Sequence, residues 1–501
     1  MADTKAISSL KNNKSSGCDN IRSEHLKYAP IEIHTEIAEL LNSTAENGEY
    51  PKEIKIGHLT PLPKPGKPKG PVENLRPNVL LSILRKILAI CVIRRIDERV
   101  RKFIIPNTQA AYTKGRSTTE LIFAFKLLAE KAVTSSNYEI NLLMLDMSKA
   151  FDTIQRGVLF DDLKEILEND ELHLVHLLLD NVQIAVKLEN KIGDQFESKI
   201  GSPQGDAASA LFFVIYLATT LKIANKKLVE NNLLSPEHLR DHSYVSNDEL
   251  SFTLDQQYAD DISWASTSTN ILENIEKTVP SVLQERNLFV NSSKTEKYTV
   301  TNDASKSEWK DCKLVGSKLD TERDIKHRKQ LASATFNKLK PIFTEKHCSS
   351  EAKLDIFNAI VESIFLYNSE IWTLTKKLEN EIDAYQRKLL RYLMNYRYTD
   401  DRKYWPSNEE LYINTKQTAW SVKVKKRRLS FFGHVCRLPE NTPAQIALKE
   451  AQRKTKRPKG RPKTTFLQQL QKDLSEKDIY NISSATELAQ DRVLWRSRFQ
   501  D

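Results

Sequence analysis

Two adjacent carboxylates, Asp260 and Asp261, stand between apolar stretches in the segment QQYADDISWAS, residues 256–266. The pattern on either side predicts a strand, a turn at YADD and a second strand. Neighbouring carboxylates repel each other, and both ionise at low cost only when a cation lies between them. A solvated turn, where most Asp pairs occur, is the alternative interpretation.

A third carboxylate, Asp146, ends the apolar run NLLML about 110 residues earlier, and this run predicts a short buried strand over residues 140–146. Strand ends and hairpin turns of one sheet can lie close together even when they are far apart in sequence. Three carboxylates at one sheet edge would hold two Mg²⁺ ions about 3.5–4 Å apart, the arrangement used for in-line nucleotidyl transfer. Mg²⁺ prefers oxygen ligands, and Mn²⁺ is the alternative ion.

The charge of the chain is concentrated in one window. Across 501 residues Lys and Arg exceed Asp and Glu by 76 − 66 = +10. Between Lys423 and Lys463 there are 14 Lys or Arg residues and two acidic residues, Glu440 and Glu450, which gives that window +12. The surplus suits a polyanionic partner, and a solubilising or linker segment is the alternative.

The spacing of the cysteines and the hydropathy of the chain indicate the broad class of protein. The five cysteines form no CxxC pair, which argues against a disulfide framework and against a cysteine-based zinc module. No apolar run approaches the length of a membrane span, and the first residues lack the apolar core of a secretory signal. We therefore expect an intracellular protein with no membrane partner. With 40% hydrophobic residues the chain can bury a core.

Up to about residue 320 the chain alternates predicted helices and strands, which indicates an α+β fold with a shared sheet. Amphipathic patterns predict helices over residues 79–104, about 158–179, the region after the turn at 200, and 270–287. From residue 321 onward the strand signals fade, and paired amphipathic helices are predicted, ending with one over 466–475.

The motifs DMSKAFD (146–152), GSPQGD (201–206) and YADD (258–261) resemble those of reverse transcriptases in order and spacing, most closely those of non-LTR (LINE-type) retrotransposons. The resemblance covers roughly residues 10–470. It is also carried by the segments SSGCDNI (15–21), LTPLPKPGKP (59–68), NLRPNVLLSILRKIL (74–88), QAAYTKGRSTTE (109–120), NSSKTE (291–296) and KLVGSKL (313–319).

This resemblance implies a right-hand polymerase with fingers, an antiparallel palm sheet and a helical thumb, followed by a basic, mostly helical C-terminal region. The implied divisions are an N-terminal segment (1–44), fingers and palm (45–320), thumb (321–400) and C-terminal region (401–501). Asp146, Asp260 and Asp261 match the catalytic, metal-binding carboxylates. Phe151 matches the bulky side chain that rejects a 2′-OH, and a core Phe is the alternative.

Other positions match the residues that handle the nucleotide and the primer. Lys64 and Arg76 match the residues that grip the triphosphate, for which a point charge and a forked donor are suited. Gln204 and Gly205 match the turn against nucleotide and template, and Lys294 matches a proposed proton donor to the leaving pyrophosphate. Leu314 to Gly316 match a hairpin that positions the primer end, and Gly316 is the candidate residue for that role.

The sequence departs from the family's pattern at several positions, among them the following three and the segment ERNLFVN (285–291), which lacks the common Gly before its Leu. Asp206 stands where a small residue is usual, and it is expected either to face solvent, to cap the next helix or to weaken dNTP binding. Asn78 stands where Ile is usual, and Leu314 where Tyr is usual. None of the three is a metal carboxylate.

The basic window supplies candidate nucleic-acid contacts, namely Lys425, Lys426, Arg427, Arg428, Arg457 and Arg461. The run KRPKGRPK (456–463) resembles a minor-groove hook, and a mere basic linker is an equally open interpretation. His434 and Cys436 are too few ligands for a closed zinc site, which favours packing.

The resemblance implies an RNA-directed DNA polymerase that uses an RNA template, a DNA primer or nicked target DNA, dNTPs and Mg²⁺, and that acts in the nucleus. The chain begins at the polymerase motifs, so we expect it to lack the endonuclease of such elements. A catalytically silent nucleic-acid-binding relic is the main alternative. The other alternative is a palm-fold enzyme that makes RNA or cyclises nucleotides. Phe151 argues against RNA synthesis, and the fingers motifs argue against a nucleotide cyclase.

Overall fold

The structure is a computed structural model. It describes residues 4–48, 51–64, 66–68, 70–189, 191–234, 243–245, 252–303, 309–396, 405–460 and 462–499.

Helices and strands alternate in the first two thirds of the chain, and helices alone follow. The strands are β1 (Ile56–Pro63), β2 (Leu75–Leu80), β3 (Ile140–Leu145), β4 (Met147–Ser148), β5 (Val182–Leu188), β6 (Lys191–Ser198), β7 (Ser243–Val245), β8 (Phe252–Tyr258), β9 (Asp261–Ser266), β10 (Phe289–Val290), β11 (Glu296–Val300), β12 (Lys313–Leu314) and β13 (Ser317–Lys318).

The helices up to the end of the sheet-forming region are α1 (Thr4–Ser8), α2 (Ser23–Lys27), α3 (Ile31–Asn47), α4 (Lys52–Lys55), α5 (Ile83–Phe103), α6 (Thr118–Val133), α7 (Arg156–Lys164), α8 (Asn169–Leu179), α9 (Ser209–Glu230) and α10 (Thr269–Glu285). Those that follow are α11 (Thr321–Thr344), α12 (Ser350–Ile356), α13 (Ser363–Phe365), α14 (Lys376–Leu393), α15 (Asn408–Thr415), α16 (Trp420–Cys436), α17 (Pro443–Gln452), α18 (Phe466–Ser475), α19 (Ile482–Gln490) and α20 (Arg492–Phe499). A π-helical turn, Phe357–Glu362, joins α12 to α13.

Two sheets carry the strand-rich part of the fold. Within the described ranges, the central sheet has five strands in the order β11-β3-β9-β8-β7, and every neighbouring pair is antiparallel. The side sheet has the order β2-β1-β5-β6, in which only the β1–β5 pairing is parallel. The α+β class predicted from the sequence, with an antiparallel sheet, is confirmed.

Strand β3 lies inside the central sheet and all of its side chains are buried, because helices cover both faces of the sheet. Leu143 and Leu145 point into one core together with Ile262 and Trp264, and helices α5 and α7–α10 close it. Leu142 and Met144 point to the opposite face, into a second core. The alternation of adjacent side chains explains why an unbroken apolar run serves two cores.

The C-terminal helices complete this second core. The Phe123 ring of α6 meets Phe431 of α16 and Phe466 of α18 edge to face, with centroid distances of 5.2 and 4.9 Å. Buried residues of α17, α19 and α20 belong to the same cluster. The described residues of α16–α20 therefore pack on the central sheet through α6.

Helices α11–α15 and the start of α16 surround a core of their own. Its centre is Trp420, whose ring stacks on Phe365 at 4.2 Å and lies parallel to the more distant Phe357 ring. The helix predicted over 158–179 is broken into α7 and α8, whereas the one predicted over 466–475 is confirmed residue for residue. In the described part of the chain, every helix is too short or too polar to cross a bilayer.

Candidate active site

The β8–β9 hairpin carries the two adjacent carboxylates at its tip. Tyr258 and Asp261 form the last strand pair, so Ala259 and Asp260 make a two-residue turn. Ala259 has a φ of +54°, which is unusual for a residue with a side chain. The buried Gln109 side chain stabilises the turn, because its Oε1 accepts a hydrogen bond from Ala259 N at 3.1 Å.

The segment before α6 extends this support along β8. Gln257 N donates to Thr108 O at 3.0 Å, and Ala110 N donates to Gln257 O at 3.0 Å, so the backbone at Gln109 pairs with β8 in parallel. The QAAYTKGR segment was predicted to belong to the polymerase, but no role was assigned to Gln109. The structure shows that this residue holds the carboxylate turn in place.

Asp146 lies at the same end of the central sheet. The β3–β9 register ends with Leu145 opposite Ile262, so Asp146 and Asp261 occupy the next position of each strand. The Asp146 backbone oxygen accepts from Asn291 N at 2.8 Å, and its Oδ2 accepts from Lys294 Nζ at 2.7 Å. The predicted convergence of Asp146 with the hairpin, and of Lys294 with them, is what the structure shows.

The three carboxylates affect one another electrostatically. Burial, and then the charges of Asp260 and Asp146, raise the pKa of Asp261 to about 6, while Lys294 acts in the opposite direction. Burial also raises the pKa of Asp260, to which the Asp146 charge adds. Half-buried like charges are unfavourable at this sheet end, and a bound cation would relieve the repulsion.

The donor chemistry of this cluster fits Mg²⁺, because all three groups offer carboxylate oxygens and repel each other. In the portion of the chain that the structure describes, no group of three or more His, Cys, Asp and Glu side chains is already arranged to hold a metal ion. Lys294 supplies the positive charge that contacts Asp146. The chain therefore brings the predicted ligands into one electrostatic cluster without closing a metal site by itself.

The turn of the GSPQGD motif packs against the segment that follows Asp146. Gly201 N donates to Ile154 O at 2.8 Å, and Ser202 N donates to Phe151 O at 2.9 Å. A Cβ on Gly201, whose φ is +72°, would come within 2.8 Å of the Asp152 backbone, so only glycine fits here. The buried Arg156 side chain, which the sequence did not single out, donates to Gly201 O at 2.9 Å.

Gln204 and Gly205 connect this turn to the side sheet. Val79 N on β2 donates to Gln204 O at 2.6 Å. Gly205 has a φ of +119°, and a Cβ there would lie 2.3 Å from Val79 O. Gln204 Nε2 reaches Asp152 Oδ1 at 3.5 Å. The structure therefore places Gln204 next to Asp152 and Gly205 against β2, and their proposed contact with nucleotide and template stays a prediction.

Phe151 is half-buried, and its ring centroid lies 4.7 Å from that of Phe213 on α9. The ring packs on the first core and is also partly exposed, so the geometry accommodates both predicted roles. Next to it, burial raises the pKa of Asp152, while Lys149, Gln204 and Lys64 act in the opposite direction. Asp152 is a site residue that the sequence interpretation did not single out.

Lys64 and Arg76 lie on the β1–β2 hairpin of the side sheet. Lys64 Nζ donates to Glu73 O at 2.7 Å, and the Lys64 charge lowers the pKa of Asp152, against the larger effect of burial. Arg76 is exposed and pairs in register with Leu62. It lies two residues from Asn78, on the same face of β2, and the Asn78 side chain borders Gly205.

Gly316 lies in the tight hairpin between β12 and β13. Val315 and Gly316 both have positive φ values, +44° and +83°, as a two-residue type I′ turn requires. The Leu314 side chain is buried in the second core, and neighbouring Cys312 contacts Met144 of β3 at 3.9 Å. The departure from Tyr at position 314 is therefore accommodated by an apolar contact under the sheet.

Asp206 is buried rather than exposed, so the expectation that it faces solvent is wrong. Its Oδ1 accepts from Ala208 N at 3.1 Å, one residue before α9 begins, so the carboxylate lies near the helix N-terminus without capping an N–H of the helix. Its Oδ2 is paired with the Arg85 guanidinium of α5.

The cations of α16 have mixed surroundings. Arg428 is 1% exposed, pairs with Asp473 and donates to Trp372 O at 2.9 Å. The prediction that Arg428 contacts nucleic acid is wrong, because its charge is used inside the protein. Lys425 is paired with Glu476, and Arg427 donates to Leu366 O at 2.7 Å. Lys426 is exposed.

Farther along the window, Arg457 is exposed, and Arg461 lies outside the described residues. His434 Nε2 lies 2.9 Å from Glu120 Oε1, and Cys436 is buried, which raises the pKa of its thiol to about 11. Packing, not zinc binding, is therefore the role that the structure gives to His434 and Cys436.

Comparisons with known proteins agree with the motif resemblance. Residues 62–332 match the family described as "Reverse transcriptase (RNA-dependent DNA polymerase)". A protein named "Probable RNA-directed DNA polymerase from transposon BS" of Drosophila melanogaster is 27% identical over 214 residues, 42% of this chain and 24% of that protein. The "RNA-directed DNA polymerase from mobile element jockey" of Drosophila funebris is 22% identical over 447 residues, 84% of this chain and 45% of that protein. The chain therefore spans less than half the length of either relative.

Solved structures of telomerase also align with the chain. The alignment with the apo telomerase of Candida tropicalis covers 93% of this chain and 74% of the telomerase chain, with 16% identity and a TM-score of 0.41. The alignment with a telomerase of Candida albicans in complex with a fragment of telomeric RNA covers 80% of this chain and 67% of the telomerase chain, with 14% identity and a TM-score of 0.35. Scores at this level do not define a shared fold.

Proposed function

The chain belongs to the reverse transcriptase (RNA-dependent DNA polymerase) family, and we propose that it extends a primer 3′-OH with dNTPs on an RNA template. The observation that carries the proposal is the convergence of Asp146, Asp260 and Asp261 at one end of the central sheet, where the β3–β9 and β8–β9 registers bring them together. Relatives named as polymerases of transposons support an origin in a non-LTR, LINE-type element.

We propose the following assignment of the right-hand regions. The central sheet with α6 and α9 is the palm, the side sheet belongs to the fingers, and helices α11–α14 form the thumb. Residues 1–44 are the N-terminal segment, 45–320 the fingers and palm, 321–400 the thumb and 401–501 the C-terminal region. The C-terminal helices share a core with α6, which supports the proposal that the last region stabilises the palm.

Asp146, Asp260 and Asp261 are the residues that would hold the divalent ions. Bound Mg²⁺ supplies positive charge that favours deprotonation of the primer hydroxyl and neutralises the leaving pyrophosphate. Lys294 Nζ donates to Asp146 Oδ2, and from this position it would bind or protonate the leaving group.

The remaining residues orient the nucleotide. Lys64 and Arg76 bind the triphosphate from the side sheet, as a point charge and as a forked donor. Gln204 and Gly205 form the floor under the base, which the Val79 contact to Gln204 O keeps in place. The Phe151 ring excludes a 2′-hydroxyl by its volume. RNA template, DNA primer and dNTPs are thus the proposed partners.

Primer extension tests the proposal. The purified chain is incubated with poly(rA)/oligo(dT), dTTP and Mg²⁺, with Mn²⁺ in a parallel reaction and with template-free primer as the control. Template-dependent lengthening of the primer is expected. A folded protein that binds the primer–template but adds no nucleotide with either ion would instead favour the silent nucleic-acid-binding relic.

A further inference from the structure

A loop rich in cations joins α17 to α18, and its described residues, 453–460 and 462–465, are here named the basic arch. It is attached to the palm-side helix α6 and the turn after it. Ser136 N donates to Lys456 O at 2.8 Å, and Ser135 Oγ lies 2.6 Å from Thr455 Oγ1. At its end, Phe466 N donates to Glu130 Oε2 at 2.6 Å. The arch spans a cavity of about 880 Å³ that it shares with α6 and α18.

The arch carries unneutralised positive charge. Residues 451–465 contain no Asp or Glu, and the arch has exposed Lys454, Lys456, Arg457, Lys459 and Lys463. Arg453 is the exception, since it pairs with Glu450 at 3.2 Å. Among the side chains that the structure describes, no acidic partner is found for Lys454, Arg457 or Lys459.

Three cations of α16, in the same basic window, differ from those of the arch because they are paired, whereas Lys426 of this helix is exposed. Lys423 pairs with Glu362 at 2.7 Å, Lys425 with Glu476 and Arg428 with Asp473. Their charges hold helices together and are partly or wholly neutralised. The surplus charge seen in the sequence is therefore presented to solvent mainly by the arch.

The arch lies at the end of the central sheet remote from the carboxylates. Asn302, just beyond β11, lines its cavity, and the β11–β3 register places Val300 opposite Ile140. Asp146 follows Leu145 at the other end of β3. Six strand residues at about 3.4 Å each separate the two ends by roughly 20 Å. Cations on the arch cannot reach a nucleotide held at the carboxylate cluster.

We propose that the basic arch is a second nucleic-acid site, which binds the phosphate backbone away from the site of nucleotide addition. The inference rests on the proposed function for the kind of polyanion that it names. Two features favour nucleic acid over an acidic membrane. No large apolar side chain of the arch is exposed to insert into lipid. Pro458, Pro462 and the contacts to Ser135 and Ser136 limit the loop's freedom, which lowers the entropy cost of binding a strand.

Fluorescence anisotropy over a series of salt concentrations tests this site on the full chain. The probes are a labelled single-stranded RNA and a DNA duplex of equal length, with phosphatidylserine vesicles as a third probe. The test variant is Lys454→Gln/Arg457→Gln/Lys459→Gln. The control, Lys164→Gln/Lys222→Gln/Lys226→Gln, removes the same charge from α7 and α9, which cover the opposite face of the sheet.

If the duplex is the ligand, the negative slope of log K against log salt should become shallower by about 2–3 in the test variant, since each phosphate contact contributes about 0.9. If the single-stranded RNA is the ligand, its slope should become shallower by about 2, because each contact contributes about 0.7. The RNA and duplex measurements together therefore identify which nucleic acid binds. The control variant should keep the wild-type slope. The arch assignment is overturned if both slopes match the wild type, if test and control variants lose equally, or if only vesicle binding falls.

Single-nucleotide addition on saturating primer–template separates this inference from the proposed function. The rate should be the same in the test variant and in the wild type, because the arch lies far from the carboxylates. Wild type that binds nucleic acid through the arch but adds no nucleotide would contradict the polymerase proposal and leave the second site standing. A rate that falls in the test variant at saturating primer–template would contradict the separation of the two sites.

Discussion

The Arg85 guanidinium donates from both Nε and Nη2 to Asp206 Oδ2, at 3.1 Å each, and the two side chains are 1% and 4% exposed. This pair joins α5 to the GSPQGD turn across 121 positions of sequence. Asp206 is the position at which the turn departs from the family's pattern. The departure is tolerated because the added carboxylate meets a buried cation and also accepts a hydrogen bond from Ala208 N just before α9.

Removing one member of this pair should destabilise the fold. We expect Asp206→Ser or Arg85→Leu alone to lower the free energy of unfolding by about 3–5 kcal/mol, since each leaves a buried charge without its partner. The double variant should lose less free energy of unfolding than the sum of the losses in the two single variants. Urea unfolding of the four proteins measures the coupling, and additive losses would contradict a direct interaction. The exposed pair of Arg95 and Asp170 is the control, for which a coupling below about 1 kcal/mol is expected.

Asp261 should make stability fall as pH rises in metal-free buffer. Its pKa is about 6 in the folded chain and 3.8 in its ordinary state, so the folded protein retains the proton over the window between these values. The unfolded chain binds fewer protons there, and the free energy of unfolding therefore decreases from about pH 4 to about pH 6. Asp261→Asn should remove this decrease and become the more stable protein above pH 6. A difference between the two proteins that does not change with pH would exclude the shift.

Phe151→Ala should weaken the discrimination between deoxyribonucleotides and ribonucleotides. Loss of the ring opens space for a 2′-OH, and we expect the preference for dTTP over UTP to fall at least about tenfold. Because the ring also packs on Phe213 at 4.7 Å, the variant loses some stability. Phe213→Leu loosens the same contact without changing the gate and should keep the preference. Equal discrimination in Phe151→Ala and the wild type would assign the ring to packing alone.

Arg428 and Lys426 lie two positions apart on α16, and their substitutions should differ strongly in their effect on the free energy of unfolding. Arg428→Ala leaves buried Asp473 unpaired and should cost about 3–5 kcal/mol of unfolding free energy, with no change in the salt slope of nucleic-acid binding. Lys426→Ala, at an exposed position, should change stability by less than about 0.5 kcal/mol. Urea unfolding and anisotropy titrations check both. An Arg428→Ala protein of wild-type stability would contradict the buried pair.

Local sequence patterns predicted two elements that carry the candidate site and one helix that packs behind it on α6. The strand ending at Asp146, the YADD hairpin and helix 466–475 each follow from a short periodic run, and the structure contains all three. The pairing of Asp146 with the hairpin followed from the resemblance, and the β3–β9 register explains it, since both strands end at one edge. Gln109 was missed because an amide in a loop carries no signal of the turn that it supports.

Long-range pairing of charges was beyond what composition could indicate. The cations of the basic window were treated alike in the sequence, yet Arg428 pairs with Asp473 inside the protein whereas Arg457 is exposed. The partners lie on separate helices, and their choice depends on how α16 and α18 pack on α6. Net charge predicts a surplus, but the core formed around Phe123 decides which cations reach solvent.

Single-nucleotide incorporation by Asp260→Asn tests the carboxylate cluster most directly. The substitution keeps the size of the side chain and removes one charge from the three that act on one another. Asp161→Asn, at an exposed position of α7, is the control. We predict that Asp260→Asn lowers the rate of dTTP addition on poly(rA)/oligo(dT) at least about 100-fold, while the control keeps the wild-type rate. Wild-type incorporation by Asp260→Asn would contradict the assignment of this cluster as the catalytic centre.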